Sequence, residues 1–131
     1  MGYECPTCKA EPGSHSLKRI ENTDDGTAVF YTRPAEATKY ADLEGILAHY
    51  DGTLGEHTGP WIWTFDAKGF GWAHALQFDV AIGIAKLLAT KYAGSLVAIR
   101  IINPTPLVNF VRKLVWPVLN KKLRTLLSNG S

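Results

Sequence analysis

The sequence predicts an α/β fold: a mostly parallel β-sheet covered by helices, with its elements in the order β-α-β-α-β-α-β. Three observations carry this. Short runs of β-branched and aromatic residues alternate along the chain with longer segments of helical spacing, which is the pattern of βαβ units. One short run, residues 96–102 (Leu-Val-Ala-Ile-Arg-Ile-Ile), is almost continuously apolar, as a strand buried on both faces requires. The chain is 131 residues long, which leaves room for one core only.

In chain order, residues 1–16 read as a flexible, cysteine-containing tail, because Pro6, Pro12 and Gly13 interrupt them and no apolar period runs through them. Residues 17–131 then form a single compact domain. Thr-Ala-Val-Phe-Tyr-Thr at 27–32 is a strand, entered through Asp24, Asp25 and Gly26 and stopped by Pro34. Leu43, Ile46, Leu47 and Tyr50 recur at helical spacing over 41–50, and Gly52, Gly55, Gly59 and Pro60 close that helix. Trp-Ile-Trp-Thr-Phe at 61–65 is the second strand. Residues 76–92 are apolar around most of their circumference, so a helix packed on two sides is expected there, ending at Gly94. After the strand at 96–102, Asn103-Pro104-Thr105-Pro106 breaks the chain and starts a helix at 107–119, since proline is tolerated in a first turn. Phe110, Leu114 and Val118 recur there every fourth residue and can face the sheet, and Pro117 bends or ends the helix. Residues 123–127 are read as one more short strand.

Charge is distributed unevenly. Residues 1–79 hold all 12 acidic residues, whereas residues 80–131 hold eight basic residues and no Asp or Glu. A half with no acidic relief attracts anions such as lipid head groups, an anionic membrane leaflet or nucleic acid. Arg112, Lys113, Lys121, Lys122 and Arg124 are interleaved with Phe110, Leu114, Val115 and Trp116. That mixture of charge and apolar anchors suits a membrane surface, and no nucleic-acid partner is expected. No run reaches the ~20 apolar residues of a spanning helix and no secretory leader is visible, so the expected location is cytoplasmic, with peripheral membrane association.

Enzymatic signatures are missing from the sequence. There is no phosphate loop, no dinucleotide fingerprint and no nucleophile elbow, and Asp66 reads as a turn-former before Gly69. No enzyme is expected. The Cys5-Pro-Thr-Cys8 pair with His15 admits two readings. It is half of a structural zinc site, with the fourth ligand from His49, His57 or elsewhere, or it is two free thiols in a mobile tail. Apart from that zinc, no cofactor is expected.

Four segments in sequence resemble the CRAL-TRIO family of lipid-binding domains. Asp25-Gly26-Thr-Ala-Val-Phe-Tyr-Thr-Arg33-Pro34-Ala35 looks like the strand that opens those domains, and Phe65-Asp66-Ala-Lys-Gly69 matches the Asp-x-x-Gly after the next strand. Ile99-Arg-Ile-Ile-Asn103-Pro104 is similar to the family's Ile-Ile-Asn-x-Pro. Trp116-Pro117-Val118-Leu119 stands where the family often has Lys-Pro-Phe-Leu. The resemblance implies a sheet that floors an apolar pocket, with residues 107–119 as a gate that opens at a membrane. It makes Trp61, Trp63, Ile99, Ile101, Phe110, Leu114, Val115 and Arg124 the ligand-binding candidates. Arg124 falls near a position that contacts an inositol phosphate in some members, while Arg112 replaces a frequent Phe. Arg112, Lys113, Trp116, Lys121 and Lys122 become the membrane-docking set. Gly94 and Ser95 stand where phosphatidylinositol-binding members carry an acid-base pair, a departure from that pattern. The chain has no counterpart of the family's preceding helical lobe or of its closing segment, so a protein partner that completes the fold is one expectation.

The resulting expectation is a carrier or sensor of a phospholipid or similar small lipid that docks on anionic membranes. The alternative is a regulatory or protein-interaction module of the same fold, of the GTPase-regulator or STAS-like kind, with its pocket filled by its own aromatic residues.

Overall fold

The computed structural model of the chain describes residues 5–129. Within them, β1 (Lys18–Asn22), β2 (Ala28–Thr32), β3 (Trp61–Asp66) and β4 (Leu96–Ile102) form one sheet in that spatial order. β2, β3 and β4 run parallel, while β1 is antiparallel to β2. The helices are α1 (Pro6–Ala10), α2 (Leu43–Gly55), α3 (Trp72–Ala75), α4 (Phe78–Leu87), α5 (Pro106–Val115) and α6 (Lys121–Asn129). The mostly parallel, helix-covered sheet agrees with the fold class read from the sequence.

Each parallel strand is added on the same side of the previous one, and right-handed crossovers then carry the connecting helices to one face. The core is built on that face. Ile46, Tyr50 and Leu54 of α2, Val80 and Ile84 of α4 and Leu123 of α6 meet Phe30, Trp61 and Ile99 of the sheet. Phe30, Trp63 and Ile99 are in register across the three parallel strands, as are Thr32, Phe65 and Ile101, so both rows point the same way.

Several expectations need correction. Residues 123–127 are not a strand but lie within α6. Leu123, Leu126 and Leu127 share one helical face against the core, and Asn120 caps the helix by accepting from the Leu123 amide at 2.9 Å. β1 was not foreseen, because all five of its residues are exposed and no apolar alternation marks it. It is an edge strand, held by backbone pairing and protected by charge. α2 continues through Gly52 to Gly55, where burying Leu54 outweighs the weak helix propensity of glycine. The helix expected at 76–92 begins instead at Phe78, after the separate short α3, and runs as α4 into a π turn at Leu88–Tyr92, whose Tyr92 carbonyl accepts from the Trp61 indole at 3.2 Å. The seven-element order therefore loses its final strand and gains an antiparallel first one.

The segment expected to hang free as a tail is instead packed down within residues 5–16. Pro6–Ala10 is helical, and Cys5, Ser14, His15 and Ser16 are buried. The amides of Thr38 and Lys39 donate to the carbonyls of Gly13 and Ser14, both at 2.9 Å. The Ser16 hydroxyl donates to Glu36 at 2.7 Å and accepts from the Arg33 amide at 2.9 Å.

Candidate functional site

Between the helix-bearing face of the sheet and helices α4, α5 and α6 lies an almost wholly apolar cavity of about 120 Å³. Its floor is Thr32, Trp63, Phe65, Ile99 and Ile101, the two in-register rows described above. On α4 the wall includes Ala81 and Ala85, where small side chains leave the space open. α5 closes it with Val108, Val111, Arg112 and Val115, a spacing that falls on one helical face.

Three of the polar groups around the cavity are hydrogen-bonded to one another. The Trp63 indole donates to the Thr32 hydroxyl at 3.2 Å, and that hydroxyl shares a 3.0 Å hydrogen bond with the Tyr50 phenol. Burial pushes the Tyr40 phenol up to about 12 and raises that of Tyr50 as well, so both stay neutral. Arg112 lies along the wall and donates to the Leu127 carbonyl at 3.1 Å, tying α5 to α6. Such an arrangement can hold a hydrocarbon group. A dry apolar cavity of about 150 Å³ accepts benzene, whereas sites for drug-sized ligands run to roughly 300–1,000 Å³. A whole lipid therefore needs more room than this cavity offers.

The path into α5 is fixed by two of the motif residues. Asp66 accepts from the Asn103 amide at 3.0 Å, from the Lys68 backbone at 2.9 Å and from the Tyr31 hydroxyl at 2.6 Å. Burial pushes its carboxyl up, but the bonds from Asn103 and Tyr31 outweigh that and hold it below the usual range. Asn103 itself sits at φ +51°, a left-handed conformation that Asn tolerates better than most residues, and turns the chain from β4 toward α5.

Among the expected ligand contacts, Trp63, Ile99, Ile101 and Val115 line the cavity. Trp61 does not, since it is buried edge-on to Phe30 in the main core. Leu114 is half-buried and outside the lining, and Phe110 is 43 % exposed. The face of α5 turned inward is the valine face, not the row Phe110, Leu114 and Val118. Arg124 lies outside the lining and stacks 5.7 Å over the Trp116 ring. Of the docking set, Lys113, Lys121 and Lys122 are exposed, Trp116 is half-buried, and Arg112 turns inward. Trp72, Leu76, Phe78 and Phe110 stand exposed, with the Phe110 ring 6.1 Å from each of Trp72 and Phe78. Sequence reasoning missed this patch. Its signal was three large apolar residues, Trp72, Leu76 and Phe78, crowded around a break in helical period at Gln77. Cys5, Cys8 and His15 are brought together, and His49 joins them, whereas His57 bonds the Pro60 carbonyl.

Among the described residues no helix is long and apolar enough to cross a membrane. No curated protein matches the chain. The family model of the CRAL/TRIO domain matches residues 23–129, from the turn before β2 to the end of α6. The apolar floor, the Asp66–Asn103 link and that match lead to one conclusion: the chain belongs to the CRAL/TRIO domain family, whose members generally bind lipid ligands.

Proposed function

We propose that this protein carries or senses a small membrane lipid, holding its apolar part between the sheet and α5, and is not an enzyme. The single observation that carries this reading is the cavity: apolar side chains make up almost all of its lining, and the Thr32, Tyr50 and Trp63 polar groups beside it bond to one another. In this reading α5 is the gate. α5 fully buries only Val108 and Val115, which at ~1.5–3 kcal/mol each hold it by roughly 3–6 kcal/mol. Trp72, Leu76, Phe78 and Phe110, with Lys113 one helical turn after Phe110 on α5, form the surface that meets an anionic membrane and recovers part of that cost. The protein is then peripheral to a cytoplasmic leaflet.

Transfer of a fluorescent phospholipid between vesicles tests this. The chain should accelerate transfer, and Ala85→Leu should abolish the acceleration while costing about 1–3 kcal/mol of stability by overpacking. Equal transfer by both proteins contradicts the reading. Trp72→Ala with Phe110→Ala should weaken co-sedimentation with acidic vesicles without changing the fold.

A second reading is favoured by the cavity's small size. Three aromatic residues of the protein itself, Tyr50, Trp63 and Phe65, line it, as an interaction module of this fold would require. An absence of any lipid uptake by the folded chain, with Ala85→Leu indistinguishable from the parent, selects that reading.

A further inference from the structure

Outside the cavity lining, the ligand atoms of Cys5, Cys8, His15 and His49 lie within 4.8 Å of one another. The cysteines are free thiols. Cys5 Sγ is 3.4 Å from His15 Nδ1, and Cys8 Sγ is 3.6 Å from His15 Nδ1 and 3.7 Å from His49 Nδ1. Tetrahedral zinc with Zn–S of about 2.3 Å and Zn–N of about 2.0 Å places sulfur and nitrogen ligands about 3.5 Å apart. The observed separations bracket that value. We propose that these four residues form a closed structural zinc site that clamps the N-terminal segment onto α2.

The surroundings of the imidazoles support this independently. His15 Nε2 donates to the Asp42 carboxylate at 3.0 Å, and His49 Nε2 donates to the Leu17 carbonyl at 2.8 Å. Acceptors on both outer nitrogens fix the protons there and leave both Nδ1 lone pairs turned to the sulfurs, which is how metal-bound histidines are held. The His15 side chain is completely buried. Gly45 completes the frame: a Cβ there would stand 2.0 Å from the Asp42 carboxylate and 2.9 Å from the His15 ring, so only glycine fits in this first turn of α2. The segment being clamped also needs a clamp. α1 has five residues, buries no side chain of its own and has no side-chain cap, and a helix that short does not hold alone.

Binding replaces two thiol protons with one Zn²⁺, so two thiolates and the ion are jointly neutral and two protons leave to solvent. Four protein ligands leave no open coordination position, so the site is structural and not hydrolytic. It joins α1 and the turn that follows it to the middle of α2, 41 positions from Cys8, where the next residue, Tyr50, reaches the cavity.

The test uses the full chain without a histidine tag, purified from cells grown with added zinc. Metal analysis should find about one zinc per chain. Cys5→Ser with Cys8→Ser should abolish retention, and chelation should lower the melting temperature of the parent. Asp42→Asn, which keeps a capping side chain, should weaken zinc binding about 10-fold or more in competition with a chromophoric chelator. Should the double serine variant fail to fold, cobalt substitution of the parent gives the answer: an intense tetrahedral visible spectrum with a sulfur-to-cobalt charge-transfer band supports the site. No retained metal, an octahedral cobalt spectrum, or a Cys5–Cys8 disulfide in freshly purified protein would overturn it.

Discussion

Asp66 is where a residue-scale reading gains most from coordinates. In the sequence it was a turn-former, and it is one: its carboxylate accepts from Lys68, Asn103 and Tyr31. The Tyr31 phenol is in turn pushed up to about 12 by its burial and by that bond. Hydrogen bonds to a charged acceptor are worth about 1.5–3 kcal/mol, so Asp66→Asn should lower stability by roughly that amount at neutral pH. The sign with pH follows from a folded-state pKa below the unfolded one. The contribution is full above the ordinary carboxylate value of about 3.9 and fades as pH falls through the depressed one. Urea midpoints of parent and variant should therefore differ by a constant amount from pH 8 to 5 and converge in stronger acid. A constant gap down to the acid transition would show that charge has no part in the link. The role of Asp66 as a turn-former was legible because Asp-x-x-Gly is a local signal. Its bond to Asn103 was not, because the partners stand 37 positions apart and meet only when β3 and β4 pair.

At the scale of elements, the buried strands were legible and the marginal ones were not. β2, β3 and β4 carry their β-branched and aromatic residues as contiguous runs, whereas β1 is a polar edge that only pairing creates. α6 reads as a strand in the sequence although Leu123 and Leu127 lie one helical turn apart, because three leucines in five residues, Leu123, Leu126 and Leu127, are too short a pattern to separate the two periods. α5 was found but rotated. Its large residues suggested Phe110 as the inward face, while its three valines point in and Phe110 joins Trp72 outside. If α5 is the gate, its amides should exchange with solvent faster than those of α4, which buries Val80, Ile84 and Ala85. Hydrogen exchange with mass spectrometry reads this directly, and acidic vesicles should speed exchange over residues 106–118 further. Protection equal to that of α4, unchanged by vesicles, contradicts a gating role.

For the molecule as a whole, the basic half retains its meaning after folding only in part. Lys91 is paired with Asp51 at 2.8 Å, and Lys122 donates to the Gly94 carbonyl at 2.8 Å. Lys113 and Lys121 remain exposed. At about 1 kcal/mol per membrane-proximal charge, replacing either with Gln should weaken binding to acidic vesicles about fivefold, and the effect should shrink as salt is added. Equal binding of the parent to acidic and neutral vesicles would show that charge does not direct docking. The uneven charge was legible from composition alone. The cavity was not, since its size depends on how Ala81, Ala85 and the α5 valines interlock. Native mass spectrometry of the protein purified from cells tests the central claim most directly. The lipid account predicts a single adduct of lipid mass, separable from any metal by organic extraction and missing from Ala85→Leu. The bare chain mass, persisting after incubation with a total lipid extract, would contradict it.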